Sequence, residues 1–427
     1  MNKILKDKPK VKRGNLISVV KETLKNKEKL LAFCKNKKTP FYLLDEKKLD
    51  QSLSEFKKAF KIIAKSYYFY TIKTNYHPFI LKKVVEAGFG LDVSSVRELE
   101  FALKTKAKKV LFSGPGKKQT DFELVFKNYK KIIVNIDSFG ELKKLGEMAQ
   151  KKKIKIEAGI RISPVNQDWS KFGIKLDRLR DFFNEAKQYE FISLVGVQIH
   201  SSWNEDAAPY EKNIKALALY LKNNFSSEEL KKIKFVDLGG GFLVKESEGY
   251  YPDSLPQGRL KMLINNYFNE KTVFEDDYFM AEALSCEAYA QKINQAIKQN
   301  LKPILSCDYF FEPGRIIANP CMQLVFRVVD VKDKSNIIVD GGIHMVGWER
   351  FEEEYFPVIN LSNPSLTEKK INIFGSLCTP YDILGYFCYT EEIKENDLLI
   401  IPNQGAYTYS LAQNFIHSIP PVYVFNI

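Results

Sequence analysis

Apolar residues along this chain follow two rhythms. In its first two thirds they gather into short runs: Tyr67–Tyr70, Gly90–Val93, Val110–Phe112, Ile132–Ile136, Ile156–Ile162, Leu194–Ile199 and Phe235–Leu238. Between them lie longer stretches, such as Lys48–Ala64 and Val96–Lys104, where apolar residues recur at helical spacing. The runs read as buried strands and the stretches as amphipathic helices. Strand followed by helix, repeated this often, predicts a parallel sheet, and the number of repeats favours closure into a (β/α)8 barrel. Leu301–Ser306 is expected to supply the eighth strand. Past Phe311 the rhythm changes. Cys321–Val331, Ile337–Val339, Ile371–Phe374, Leu398–Ile401 and Val422–Phe425 read as strands with little helix between them.

Three regions are therefore expected. Residues 1–45 form a basic leader, with helical spacing from Ile17 to Phe33 and a strand at Phe41–Leu44 that packs with the β domain. Residues 46–308 form the barrel, and 309–427 a β-rich C-terminal domain. The connection from Lys245 to Asn300 is long for a barrel, so an insertion is expected near 245–280, centred on Tyr250–Asp277.

A length of 427 residues, 45% of them hydrophobic and 13% aromatic, suits two globular domains. No run of apolar residues is long enough to span a bilayer, and the basic N-terminus lacks the apolar stretch of a signal peptide. A cytoplasmic protein with no membrane partner is expected. The six cysteines (Cys34, Cys286, Cys307, Cys321, Cys378, Cys388) show neither metal-ligand nor disulfide-scaffold spacing, which predicts free thiols and no metal site. The formal charge of +13 is concentrated near the start: residues 1–40 carry twelve Lys and one Arg against three acids. A solvated leader accounts for this, and with no groove-reading motif beside it no nucleic-acid partner is expected.

In a barrel of this kind, chemistry collects at the C-terminal ends of the strands. Those ends carry Lys73, Asp92, Ser113-Gly-Pro-Gly116, Arg161, His200, Gly239-Gly240-Gly241 and Glu312-Pro-Gly314-Arg315. A lysine at a strand end usually keeps its head in water. Desolvated, its amine can instead form a Schiff base. A glycine triple lets backbone amides approach a phosphate, and Arg315 can complete such a cradle. Each feature alone has a blander reading as a tight turn or a rim residue, but together and in order they form a working set.

That set resembles the fold-type III pyridoxal-phosphate (PLP) decarboxylases, the family of diaminopimelate, ornithine and lysine decarboxylases. The matching residues are Tyr70-Thr-Ile-Lys73-Thr-Asn75, Leu91-Asp-Val-Ser-Ser95 with Glu98-Leu99, Asn135-Ile-Asp-Ser138, Lys171-Phe-Gly173, His200, Gly239-Gly-Gly241 and Glu312-Pro-Gly-Arg315. Further on they are Gly375-Ser-Leu-Cys378 with Asp382, and Gly405-Ala-Tyr407. The resemblance implies that Lys73 holds PLP as a Schiff base. Glu312 would pair with the pyridine nitrogen and His200 would stack on the ring. Gly241, Gly314, Arg315 and Tyr407 would hold the phosphate, Gly239 and Gly240 would also bind the cofactor, and Asp92 would support the lysine. It also implies a homodimer with shared active sites, in which Cys378 reaches in from the partner as a proton donor. An acid facing the ring nitrogen keeps the cofactor an electron sink, which suits decarboxylation better than racemisation.

Substrate choice is read at the departures from the family pattern. Trp203 stands where a serine is usual, and Thr379 follows Cys378 where an acid is usual. The run from Asp340 to Arg350 does not align cleanly with the family's carboxylate-reading arginine. Trp203, Arg350, His344, Thr379 and Asp382 are the candidate substrate contacts. The expected activity is α-decarboxylation of a small-molecule amino acid with a distal amine or amide. Alternatives are a citryl-linked diamino acid of siderophore assembly or, in another class, an inert regulatory relative. The presence of both Lys73 and Cys378 argues against the last.

Overall fold

The computed structural model describes residues 14–165, 170–244, 283–347 and 354–426, with isolated positions between 249 and 280. Arg350 and most of the insertion Tyr250–Asp277 lie outside the described residues. The chain divides into two compact units. One comprises residues 50–243 and 284–317; the other draws on 1–49, 244–283 and 318–427.

The first unit is a closed parallel barrel. In chain order the strands are β1 (Phe41–Asp45), which belongs to the other unit, then β2 (Ser66–Thr71), β3 (Gly90–Val93), β4 (Val110–Phe112) and β5 (Ile132–Ile136). They continue with β6 (Ile156–Ile162), β7 (Ile192–Ile199) and β8 (Phe235–Asp237). After two short strands outside the barrel, β9 (Gly249–Tyr250) and β10 (Phe279–Met280), strand β11 (Asp308–Phe311) closes the ring between β8 and β2. Registers run in step: Tyr70 faces Leu91, Asp92 faces Leu111, Val197 faces Val236, and Phe310 faces both Asp237 and Tyr67. The strands are near-continuous apolar runs because a helix-covered barrel buries both faces.

The barrel interior holds Phe69, Leu111, Val195, Phe235 and Phe310, all buried. The Phe235 and Phe310 rings stack at 4.5 Å. Gly196 lies under Phe235, where an added Cβ would come within 2.2 Å of the ring, so this floor requires a residue with no side chain. The apolar floor leaves polar groups to the strand ends.

The eighth strand differs from expectation. Leu301–Ser306 is not strand: Ile297–Leu301 continues the helix Cys286–Ala296, and the closing strand is Asp308–Phe311. Ile297, Leu301 and Leu305 are buried at four-residue spacing, a helical stripe that reads as a strand when taken as a short apolar run. The barrel unit accordingly runs on to Ile317, past the expected boundary at 308.

The second unit is built on an eight-stranded sheet. Its strands are β1, β12 (Met322–Asp333), β13 (Asn336–Val339), β15 (Ile359–Asn360), β16 (Glu368–Phe374), β17 (Ile383–Tyr389), β18 (Leu398–Ile401) and β19 (Val422–Phe425). The pair β14 (Glu354–Tyr355) joins β9 and β10 in a small separate sheet. Strand β1 lies antiparallel to β12 and parallel to β19. Helices Gly14–Lys25 and Lys27–Cys34 place Val20, Leu30 and Cys34 in one core with Phe41, Val325, Ile400 and Phe425.

Candidate active site

Strand β2 ends at Thr71 and runs into a single 3-10 turn, Ile72–Thr74, which carries Lys73. The turn is held from the opposite side of the closure: Thr71 Oγ1 donates to the Glu312 carbonyl at 3.1 Å, and Thr71 N to that of Pro313 at 3.3 Å. Lys73 is half-buried. Its positive charge acts on Asp92, Glu98, His200 and Glu312, which places it within one electrostatic cluster.

Three buried carboxyls belong to that cluster: Asp92, Asp237 and Glu312. They do not share charge equally. Burial and the Glu312 charge push Asp92 up to about 8, against the pull of Lys73 and a Ser113 hydrogen bond. Burial and Glu312 likewise raise Asp237 well above the usual carboxylate range, so it holds a proton. Burial would raise Glu312 as well. Hydrogen bonds from His200 and Asp237 and the Lys73 charge overcome it and hold Glu312 low, at about 2. Glu312 is therefore the ionised acid of the set.

Two side chains fix that carboxylate. Gln198 Nε2 donates to Glu312 Oε1 at 2.5 Å, and His200 Nδ1 lies 3.3 Å from Oε2. The same Nδ1 is 3.1 Å from the Gly240 amide, so it can accept from Gly240 or donate to Glu312 but not both. Burial lowers the His200 pKa, which favours the neutral ring. Asp237 Oδ1 accepts from the Gly239 amide at 2.9 Å. The Gly239 amide is thus engaged inside the protein and the Gly240 amide faces His200 Nδ1, and both residues shape the loop. Gly240 also packs against Glu312, where a Cβ would meet the carbonyl oxygen at 2.0 Å.

The loop after His200 is tied to the glycine loop at several points. Asn204 N donates to the Gly241 carbonyl at 2.9 Å, and Asn204 Nδ2 to the Ser201 carbonyl at 2.9 Å. Tyr210 Oη donates to Gly240 O and Tyr289 Oη to Asn204 O, each at 2.5 Å. Between these anchors Trp203 adopts φ +57°, and its ring lies 4.6 Å beneath the Arg315 guanidinium.

On the far side of the barrel mouth, Arg161 Nη1 donates to the Ser113 carbonyl at 3.0 Å and its guanidinium lies 4.4 Å from the Phe172 ring. Asn135 Nδ2 donates to Ser113 Oγ at 3.1 Å. The Ser113-Gly-Pro-Gly116 loop is pinned by Lys117, whose buried Nζ donates to Gly114 O, Asn135 O and Glu141 Oε2.

Within the second unit, Cys378 is exposed on the loop from Gly375 to Asp382. Asp382 is corrected from its expected role as a substrate contact. It is buried, with Oδ1 accepting from Ile343 N at 2.7 Å and Oδ2 from Leu377 N at 2.6 Å, so it anchors the cysteine loop. His344 is also expected to contact substrate, but it is fully buried, 6.0 Å from the His417 ring, and is not an open group on this unit. Thr379 is half-buried, and its Oγ1 accepts from Tyr381 N at 3.4 Å. Tyr407 sits at φ +58° beside Gly405, where a Cβ would meet the Ala318 carbonyl at 1.7 Å.

Gln198 and Asp237 are not among the site residues expected from the sequence, and Asn135 enters there only as the first residue of a matching stretch. Each is a polar residue near the end of an otherwise apolar strand, and in a barrel whose chemistry lies at strand ends that contrast is a usable signal.

These residues suit a polar, phosphorylated heterocycle. Asp92 Oδ1, Asn135 Oδ1 and Gln198 Oε1 are buried and have no hydrogen-bond partner among the described residues. An amine stands at the strand end, an ionised acid is held ready for a ring nitrogen, and a glycine loop with an arginine offers a phosphate seat. The fold and site together define a PLP-dependent enzyme of the barrel type. Residues 46–319 match the family model described as pyridoxal-dependent decarboxylase, pyridoxal binding domain, and the chain belongs to that family. It is 26% identical over 398 residues to the diaminopimelate decarboxylase of Campylobacter jejuni, covering 88% of each chain. It is 24% identical over 407 residues to the L-glutamyl-[BtrI acyl-carrier protein] decarboxylase of Niallia circulans, covering 90% of this chain and 87% of that one. The crystal structure of Helicobacter pylori diaminopimelate decarboxylase complexed with L-lysine matches with a TM-score of 0.74 and 26% identity over 93% of each chain. The protein is a PLP-dependent amino acid decarboxylase.

Proposed function

We propose that this enzyme removes the α-carboxyl group of an amino acid bearing a distal amine or amide. PLP, when bound, supplies the electron sink that a departing carboxylate requires. Lys73 is the residue to hold it, Glu312 to keep its ring nitrogen protonated, and Gly241, Gly314, Arg315 and Tyr407 to seat its phosphate. His200 shields a ring face while its Nδ1 faces the Glu312 carboxylate. The observation that carries this reading is the placing of Glu312, a buried carboxyl after the closing strand that accepts from Gln198 Nε2 at 2.5 Å and lies 3.3 Å from His200 Nδ1. A neutral partner would leave the ring nitrogen unprotonated and the sink weak.

A second reading concerns the substrate's far end. The cysteine loop offers no free carboxylate to a distal ammonium: Thr379 follows Cys378, and both oxygens of Asp382 are taken by backbone amides. This favours a substrate whose distal nitrogen is an amide, as in a citryl-linked diamino acid or a carrier-linked aminoacyl group. The Niallia circulans relative, named for a carrier-linked glutamyl substrate, supports a conjugated rather than a free amino acid. The active form is proposed to be a homodimer in which Cys378 of one copy serves the barrel of the other and returns a proton to the α-carbon.

Carbon dioxide release across free L-, D- and meso-diamino acids and their citryl and acyl conjugates tests the substrate reading. A distal amide or conjugate is expected to turn over best. Turnover of meso-diaminopimelate far above all others would overturn the preference for an amide, and absence of carbon dioxide from every substrate would overturn the broader proposal.

A further inference from the structure

The phosphate seat has an unusual composition. Ser201 is buried, and its hydroxyl accepts from Asn213 Nδ2 at 3.0 Å. Ser202 is directed to His200 Nε2 at 3.4 Å. Neither hydroxyl of this loop is therefore directed to an anion. The next residue, Trp203, holds a left-handed backbone conformation at φ +57°, where a bulky side chain is strained. The residues on both sides impose this conformation, through Asn204 and its bonds to Gly241, Ser201 and Tyr289. The strain brings the indole under the Arg315 guanidinium, 4.6 Å from centre to ring. Arg315 itself is 8% exposed, whereas Trp203 is 54% exposed, so the indole is not there to fill a core.

We infer that Trp203 is a positioning residue for the cofactor phosphate. It aims the Arg315 guanidinium by cation–π contact and takes over a task that a loop hydroxyl would otherwise perform. An indole is the best aromatic partner for a guanidinium, and a face-on contact engages the guanidinium's face rather than the edge N–H groups that would meet an anion. The backbone strain is the cost of placing the ring there. The inference rests on the PLP reading of the site, and affinity measured without turnover separates the two.

The test is equilibrium titration of cofactor-stripped protein with PLP, read by the absorbance of the Lys73 Schiff base, together with thermal melting of the stripped protein. Trp203→Ala and Trp203→Gly are each expected to raise the PLP dissociation constant about tenfold, equivalent to ~1.4 kcal/mol. Trp203→Phe, which keeps an aromatic face, should recover most of that loss. Trp203→Gly relieves the left-handed strain, so the stripped variant should melt as high as the wild type or higher while binding PLP more weakly. A residue acting only in folding would move both readouts in the same direction. In an Arg315→Gln background, Trp203→Ala should change affinity less than twofold further, because its effect runs through the arginine. Unchanged affinity in Trp203→Gly, or full additivity with Arg315→Gln, overturns the inference alone. Absence of a Schiff-base band in the wild type overturns the cofactor reading and this inference with it.

Discussion

Asp92 is buried beside the Lys73 amine with one oxygen unpartnered among the described residues, and its pKa is pushed up to about 8. This has a consequence for the cofactor-free protein. In the unfolded chain the group titrates near 4. Between about pH 4 and pH 8 the folded state therefore keeps a proton that the unfolded state has lost, and stability falls as pH rises through that window. Asp92→Asn, uncharged throughout, should raise the melting temperature of stripped protein by several degrees at pH 8 and leave it unchanged at pH 4. Melting curves at the two pH values check this; equal gains at both would show that charge is not the cause. At this scale the sequence was readable where a residue stood out from its element. Lys73, His200 and Glu312 follow the ends of apolar strands and announce themselves. Gln198 and Asp237 lie inside the runs Leu194–Ile199 and Phe235–Leu238. Only their place near the C-terminal end of a barrel strand sets them apart from polar residues that merely interrupt the pattern.

The connections at the strand ends matter more than the strands themselves. The loop after β4 hangs on Lys117, whose three ammonium protons go to two carbonyls and the Glu141 carboxylate in a buried pocket. Burial lowers the Lys117 pKa and Glu141 opposes it, so the pair stands or falls together. Lys117→Ala leaves Glu141 and two carbonyls without their partner and should cost about 3–5 kcal/mol. Chemical denaturation measures this loss, and Lys117→Met paired with Glu141→Gln should recover part of it. From sequence, Lys117-Lys118 looks like one more solvated charge pair in a lysine-rich chain. Only the three-dimensional convergence of Gly114, Asn135 and Glu141 reveals one of the two as interior. The misplaced eighth strand has a related origin. Ile297 and Leu301 belong to a helix that begins well before the short run Leu301–Ser306, while Tyr309-Phe310-Phe311, at the start of the expected second domain, is the strand that closes the barrel.

For the whole molecule, the alternation of strand and helix was plain in the sequence because a barrel repeats one unit and buries it on both faces. The β-rich unit was legible as a class but not as a topology. Its sheet joins β1 from the start of the chain to β12 and β19 from the end, and such non-local pairing leaves no local signature. The proposed division of labour between two copies gives a direct test. Lys73→Ala and Cys378→Ala should each be inactive or nearly so when pure. Mixing the two under conditions that let subunits exchange should restore carbon dioxide release, since some hybrids carry one intact lysine–cysteine pair. No recovery after verified exchange would place both groups in the same copy.

The Phe235–Phe310 stack above Gly196 does more than fill space. It packs the barrel interior ring against ring, so the strand ends that carry Lys73, His200 and Glu312 rest on a solid apolar support whose closeness depends on the missing side chain at position 196.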